Sequence, residues 1–146
     1  QLMLIRRETA ADQDEVHRLV TAAFTSPEQT QAGLSEPIEA RLLDWLRADN
    51  GWLPKLSLVA VEQEVVVGHV LCTRGRVGDH PALGLAPLSV LPTNQGKGLG
   101  SALMHAILAA AEALNEAWGD HFQVRALTGY AGQVDRFEYA EPFGRL

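Results

Sequence analysis

The spacing of apolar residues changes along the chain and predicts helices and strands in a definite order. The opening stretch LMLIRRET alternates roughly and favours a strand, which leads through Thr9 and Asp12 into a helix. A second helix is predicted from about Glu36, where Ser35 can cap it and Pro37 suits its first turn. The apolar stripes are Val16, Leu19, Val20 and Phe24 in the first helix, and Ile38, Leu42, Leu43 and Leu46 in the second.

The second half of the chain begins with strand patterns. LSLVAVEQEVVVGHVLCTRGRV is rich in β-branched residues on both sides of Glu62 to Glu64, which predicts a hairpin that turns there. After a turn near GDHPA, LGLAPLSVL predicts a further strand, and Pro87 within it indicates an edge or a bulge because proline donates no ladder hydrogen bond. A third helix to about Trp118 and a strand FQVRAL follow. The stripe of this third helix is Leu99, Leu103, Ile107 and Leu114.

This order of elements predicts an α+β fold, in which a mixed and mostly antiparallel sheet is flanked by helices. The strand, helix and strand from LAPLSV to VRAL form a crossover, which gives one parallel pair. A chain of 146 residues can bury one substantial core but not two. We therefore expect a single domain over residues 1–146.

Composition and charge exclude several classes of protein. The formal net charge of -6 argues against a nucleic-acid binder or a protein of anionic membranes, because both favour an excess of Lys and Arg. The single Cys72 cannot form an internal disulfide, and no apolar run resembles a membrane span or a signal peptide, so a cytoplasmic location is expected. His17, His105 and His121 show no metal-ligand spacing, so no metal is predicted. Monomer and homodimer both remain open.

Three glycines lie between the predicted strand and the third helix. Gly96, Gly98 and Gly100 precede or enter the first helical turn, where backbone N–H groups have no internal partner and attract phosphate. Glycine lacks Cβ, so a phosphate can approach the amides closely, and Lys97 adds a positive charge beside them. The sequence TNQGKGLGS fits neither a Walker loop nor a Rossmann fingerprint. A tight turn with no ligand is the structural alternative.

The stretch VLPTNQGKGLGSAL resembles motif A of the GCN5-related N-acetyltransferase (GNAT) superfamily, written Q/R-x-x-G-x-G/A. The stretches IRRETAADQDEVHRLVTAAF and LVAVEQEVVVGHVL also look like N-acetyltransferases of the bacterial YhbS-like type, so the resemblance covers nearly the full length. It implies the GNAT fold, with one splayed parallel strand pair. Relatives normally carry a further strand after the point where this sequence ends in EPFGRL, so two alternatives are open: either the chain is trimmed, or its sheet ends early without the usual last strand.

The resemblance also implies acetyl-CoA as the cosubstrate and assigns residues to its binding. In the family the loop amides hold the pyrophosphate, and the preceding strand pairs with the pantetheine through backbone groups. Carried over to this sequence, the loop residues are Gln95, Gly96, Lys97, Gly98, Leu99, Gly100 and Ser101, and the strand residues are Leu88, Ser89 and Val90. A bulge splays that strand from its neighbour in the family, and Pro87 fits the interruption.

The implied reaction is direct attack of a primary amine, on a small molecule or a peptide, on the acetyl-CoA thioester. A general acid should protonate the departing thiolate, and in the family this is usually a Tyr in a pattern like Y-x-R-F-G-F. Here the corresponding stretch is VDRFEY, in which Val134 occupies the Tyr position and Glu138 replaces the glycine. Tyr130, four residues earlier, is the candidate that remains, with packing as its alternative.

A general base is also required, because an alkyl amine has a pKa of about 10.4 and is protonated near neutrality. The candidates are Glu36, Glu39, His69, Asp79 and His80. Acidic residues at a helix start also favour the helix dipole, and a histidine among valines is commonly a satisfied strand residue. By family analogy Glu39 faces the acceptor, and we select it as the base.

Two other functions follow from the same residues. Because of Val134 and Glu138, the chain is alternatively a catalytically weakened module that binds acyl-CoA, such as a sensor. The glycine loop alternatively receives a different phosphorylated ligand.

Overall fold

The computed structural model describes residues 3–25, 36–77, 80–118, 123–126 and 137–138. The strands and helices, in chain order, are β1 (Met3–Arg7), α1 (Gln13–Phe24), α2 (Ile38–Ala48), β2 (Trp52–Glu62), β3 (Val65–Val77), β4 (His80–Val90), α3 (Leu99–Trp118), β5 (Gln123–Ala126) and β6 (Phe137–Glu138). Short 3-10 turns at Ala10–Asp12 and Pro92–Asn94 precede α1 and α3. In the part of the chain that the structure describes, no helix is long and apolar enough to cross a membrane.

The six strands form one sheet, in which β1 to β5 lie in sequence order and β6 pairs with the end of β3. All neighbours are antiparallel except β4 and β5, which are parallel and are connected through α3. The predicted α+β class and the predicted parallel pair are therefore confirmed. The crossover places the start of α3, and with it the glycine loop, directly after the end of β4.

The hairpin between β2 and β3 turns where the sequence predicted it. Gln63 and Glu64 form a two-residue turn and both have positive φ, at 51° and 65°. Tight hairpins favour this left-handed conformation because its twist matches the twist of the two strands. The turn, together with a register shift between Val61 and Ala60, brings Val59 opposite His69 in the middle of the sheet.

The bulge predicted at Pro87 is present in β4. Between Val70 and Cys72 of β3 the partner residues step from Leu88 to Leu85, so β4 has one extra residue there. The described pairing of β4 with β5 reaches Leu85 and goes no further. The segment of β4 after the bulge therefore keeps its pairing with β3 after its described pairing with β5 has ended.

Each face of the sheet has its own apolar core. The core beneath α3 is made of Leu53, Leu56, Leu58, Ala60, Val67, Val70, Cys72, Leu83, Leu85, Leu99, Leu103, Ile107, Ala111 and Leu114. The core beneath α1 and α2 is made of Val16, Leu19, Val20, Ala40, Leu42, Leu43, Leu46, Val59, Val66 and Leu71. The predicted stripes are confirmed at most positions, but Ile38 is 37% exposed and Ala40 is buried instead. Ile38 is the first residue of α2, because Pro37 is extended, and its side chain therefore lies at the end of the stripe.

Two local features fix the helices on the sheet. A Cβ added to Gly68 of β3 would lie 2.7 Å from Leu103 Cδ1 and 3.4 Å from Leu99 Cδ2, so glycine lets the first turns of α3 approach the strand closely. At the start of α1, the Asp12 carboxylate accepts hydrogen bonds from both terminal nitrogens of Arg6, at 2.8 and 2.9 Å, and from the Thr9 amide. These hydrogen bonds hold the pKa of Asp12 well below its usual range.

Candidate functional site

The glycine loop connects the end of β4 to the first turn of α3. Gly96 and Gly98 adopt positive φ, at 78° and 82°, and Gly98 O accepts the first helical hydrogen bond, from the Ala102 amide at 3.1 Å. A Cβ added to either glycine would have no described atom within 4 Å. The loop surface is therefore open on the side where those Cβ atoms would point, and the first helical N–H groups lie next to it.

Some of the other loop residues attach the loop to the rest of the fold, and others are exposed to solvent. Leu99 is the first residue of α3, and its side chain is buried in the core between this helix and the sheet. Only its backbone groups can therefore bind a ligand. The Gln95 side chain bends back, and its Nε2 donates to Val90 O at 3.0 Å, which ties the loop to β4. Lys97 and Ser101 are exposed. Gly100 lies in the helix, where an added Cβ would make only an ordinary contact of 3.8 Å with Leu88 Cδ2.

The three strand residues assigned by the resemblance lie just after the bulge. Leu88 and Val90 are half-buried and pack against the core beneath α3, whereas Ser89 is buried and faces the other side of the sheet. Ser89 is the cross-strand partner of His69. Its Oγ has no hydrogen-bond partner among the described residues. The last three residues of β4 and the glycine loop therefore lie next to each other in the structure.

A buried polar chain crosses the opposite face of the sheet, and the sequence did not predict it. Arg47 of α2 donates to both carboxylate oxygens of Glu8, with Nη1 to Oε1 at 2.7 Å. Ser57 Oγ donates to the same Oε1 at 3.0 Å and lies 2.8 Å from Nε2 of His69. The Arg47 guanidinium also lies over the ring of Trp52, 5.0 Å from its centroid. This polar chain links β2, β3 and the residue that follows β1 to α2.

His69 is the innermost member of this chain. It is completely buried, and burial is the main cause that lowers its pKa to about 4, with Glu8 opposing and Arg47 adding to the effect. Its Nδ1 is buried and has no partner in the described part of the chain. A side chain that is completely buried cannot contact an amine substrate that enters from solution, so His69 is poorly placed as a general base in this structure.

Two other base candidates, Glu39 and Glu36, lie on or near α2. Glu39, in the first turn of α2, is half-buried, and its Oε2 is a buried oxygen with no partner among the described residues. Glu36 is already paired, through Oε1 with His17 Nε2 at 2.6 Å and through Oε2 with Arg41 Nε at 3.8 Å. His80 begins strand β4, so its predicted place in a turn was wrong. The remaining candidates for proton transfer, Asp79 and Tyr130, lie outside the described residues, as does Val134.

A cavity of about 390 Å³ opens beside α1. It is lined by His17, Arg18, Thr21, Ala22 and Glu36. Ligand atoms of His17, Glu36 and Asp44 lie within 4.8 Å of one another, a grouping that could hold a cation. The spacing of the histidines along the sequence does not indicate this group, because its members are brought together only where α1 packs beside α2 and the residues just before it. His17 Nε2 already lies 2.6 Å from Glu36 Oε1 there, so these two side chains are partners without a metal.

Cys72 does not supply a nucleophile. Its thiol is buried in the core beneath α3, and burial raises its pKa to about 12. A thiol with that pKa is almost wholly protonated near neutral pH and reacts poorly.

Comparisons with known proteins agree with this geometry. Residues 14–124 match the model of the acetyltransferase (GNAT) family. A GNAT family acetyltransferase from Brucella melitensis, solved in complex with acetyl-CoA, superposes with a TM-score of 0.62 at 28% identity, covering 94% of this chain and 86% of that one. YhbS from Escherichia coli, a GNAT family N-acetyltransferase solved with CoA, also gives 0.62, at 30% identity over 78% of this chain and 57% of that one.

One curated relative is similar in sequence. The uncharacterized N-acetyltransferase YjhQ of Escherichia coli (strain K12) is 36% identical over 98 residues, which cover 64% of this chain. The match spans 49% of YjhQ, so this chain covers about half the length of that relative. Because the family model matches well over half of the sequence, the chain belongs to the acetyltransferase (GNAT) family.

Proposed function

We propose that this protein is an acetyl-CoA-dependent N-acetyltransferase that transfers the acetyl group to a primary amine of a small molecule or a peptide. The observation that carries the proposal is the open pair of left-handed glycines, Gly96 and Gly98, at the start of α3. Two similar GNAT structures contain acetyl-CoA or CoA. Family membership and an unobstructed loop together favour this ligand over other phosphorylated compounds.

The residues of this chain fit such a ligand. The amides from Gly96 to Ser101 lie at the positive end of α3, and Lys97 adds a charge at the exposed loop. The backbone of Leu88 to Val90 supplies polar groups along the edge of β4 where the described pairing with β5 has ended. Bound acetyl-CoA supplies the thioester that the amine attacks. The protein's part is to hold the diphosphate at the loop and the pantetheine along β4.

Proton transfer requires a base and an acid from this chain. We assign the base to Glu39, because by family analogy it faces the acceptor amine and its side chain in the first turn of α2 is only half-buried, unlike that of His69. Tyr130 is our candidate for the acid that protonates the thiolate. A thiolate with a pKa of about 8.5 is a tolerable leaving group without an acid, so loss of Tyr130 should slow the reaction less than loss of the base.

Calorimetry and an amine screen test the proposal. Acetyl-CoA and CoA should bind and ATP should bind more weakly, and release of free thiol should saturate with at least one amine of the panel. Gly98→Ala should weaken acetyl-CoA binding, because the added Cβ would stand where the diphosphate approaches. Absence of heat with either form of CoA would refute the function.

The weakened CoA-binding module remains the second candidate, because Val134 occupies the position of the family tyrosine. It predicts acetyl-CoA binding without turnover of any amine. A large gain in turnover in Val134→Tyr would favour it, and ready turnover by the wild type would reject it.

A further inference from the structure

The hydrogen bonds of Ser57 determine which nitrogen of His69 carries the proton. Ser57 has a single hydroxyl proton, and it is donated to Glu8 Oε1, an oxygen of a carboxylate that is paired with Arg47. The contact of 2.8 Å between Ser57 Oγ and His69 Nε2 must therefore be donated by Nε2–H. The neutral ring then has its lone pair on Nδ1, which is buried and can only accept.

A matching donor lies on the adjacent strand. Ser89 is the cross-strand partner of His69, and its buried hydroxyl lacks a partner among the described residues, as Nδ1 of His69 does. Side chains of directly opposed residues in an antiparallel pair stand on the same face, with Cβ atoms about 5 Å apart. One rotation about χ1 moves a serine hydroxyl between staggered positions. Buried polar groups are nearly always paired in native proteins, so two complementary unpaired groups on opposed residues indicate a missing bond.

The location of Ser89 gives this bond a role. Ser89 is the middle residue of the β4 segment after the bulge, where β3 still pairs with the strand but the described pairing with β5 has ended. We propose that Ser89 Oγ donates to His69 Nδ1, directly or through one buried water, and that the completed chain from Arg47 to Ser89 positions β4 for acetyl-CoA. The positioning role rests on the proposed function, whereas the hydrogen bond does not.

The first test is the tautomer of His69, read by nitrogen-15 NMR of the free protein. The signal is assigned by its loss in His69→Gln. The Nε2–H form with a hydrogen-bonded Nδ1 should be present from pH 5 to pH 8, and Ser89→Ala should shift Nδ1 toward the value of a free lone pair. A proton on Nδ1, or no change in Ser89→Ala, would overturn the hydrogen bond.

The second test is the sign of a stability change. If the bond exists, Ser89→Ala removes it and should lower the melting temperature. If the hydroxyl is unpaired, its removal should leave the melting temperature unchanged or raised. Thr73→Val is the matched control, because Thr73 Oγ1 is another buried hydroxyl of the sheet with no described partner. Equal behaviour of the two variants would contradict the proposal.

The third test measures the dissociation constant for acetyl-CoA in a double-mutant cycle. His69→Gln is the second variant, because its amide can still donate to Ser57 while the acceptor facing Ser89 is lost. Ser89→Ala and His69→Gln should each weaken binding about fivefold, as for loss of one neutral hydrogen bond, and the double variant should be no weaker than either. Wild-type affinity in Ser89→Ala, or multiplied effects in the double variant, would refute the positioning role. If the wild type binds no acetyl-CoA, the proposed function fails, and the NMR and stability results still decide the hydrogen bond.

Discussion

Mild acid should destabilise this protein through His69. In the native state burial lowers the pKa of His69 to about 4, whereas the ordinary value is 6.5. Between these two pH values the unfolded chain binds a proton that the native protein does not, so the free energy of unfolding must decrease as the pH falls. Above pH 6.5 the imidazole is neutral in both states, and this contribution to the pH dependence disappears.

The size of the effect follows from the two pKa values. Each pKa unit corresponds to about 1.4 kcal/mol, so a fall from 6.5 to about 4 amounts to about 3 kcal/mol between pH 7 and pH 4. Asp12 acts in the other part of the pH range. Its pKa lies below the ordinary value of 3.8, so the stability that its ion pair provides is present above that pH and is lost as the pH falls below it.

Urea unfolding followed by circular dichroism, at half-unit steps from pH 7 to pH 4, measures the effect. The informative quantity is the free energy of unfolding of the wild type minus that of His69→Gln, because groups common to both proteins cancel. This difference should fall by about 3 kcal/mol across the series. His105→Gln, a substitution at an exposed histidine of α3, is the matched control and should leave the wild-type profile unchanged. Parallel profiles for wild type and His69→Gln would show that the buried imidazole does not resist protonation.

Three further predictions concern backbone and packing. Gly98→Ala should lower the free energy of unfolding by about 1 kcal/mol, because φ at Gly98 is +82°. Gly100→Ala, at a position within the helix, should be neutral or stabilising in the same thermal unfolding experiment. Equal losses in the two variants would contradict the loop geometry. Gly68→Ala should lower the free energy of unfolding by about 1–3 kcal/mol, because its Cβ would lie 2.7 Å from Leu103 Cδ1, and unchanged urea unfolding would argue against this close contact. Cys72, whose pKa burial raises to about 12, should react with a thiol reagent only after unfolding, and rapid labelling of the native protein would refute its burial.

Local patterns in the sequence were enough to predict most of the elements. The hairpin turn at Gln63 and Glu64, the bulge at Pro87 and the helix from the glycines to Trp118 each depend on residues within a few positions of one another. The same holds for the open glycine loop, since a left-handed conformation at Gly96 reflects the missing Cβ of that residue. The sequence therefore predicted where the glycine loop lies, between a strand and a helix, and the structure adds the left-handed conformation of Gly96 and Gly98.

The buried polar chain could not be predicted in the same way. Glu8 and Arg47 are 39 residues apart, Glu8 and Ser57 are 49 apart, and their contact depends on how α2 packs on the sheet. Seen alone, His69 among valines had two interpretations, and only its burial and its bond to Ser57 decide between them. Interactions between distant segments are set by tertiary packing, which periodicity along the chain does not specify.

Leu99 anchors the loop that precedes it to the core. Its side chain is inserted into the core, while the residues just before it, from Gln95 to Gly98, are exposed. The buried side chain therefore anchors the end of the loop to the core, whereas an added Cβ at either left-handed glycine before it would have no described atom within 4 Å. Replacing Leu99 with a smaller residue would loosen this anchor, and it should weaken anion binding at the loop although the Leu99 side chain itself is buried.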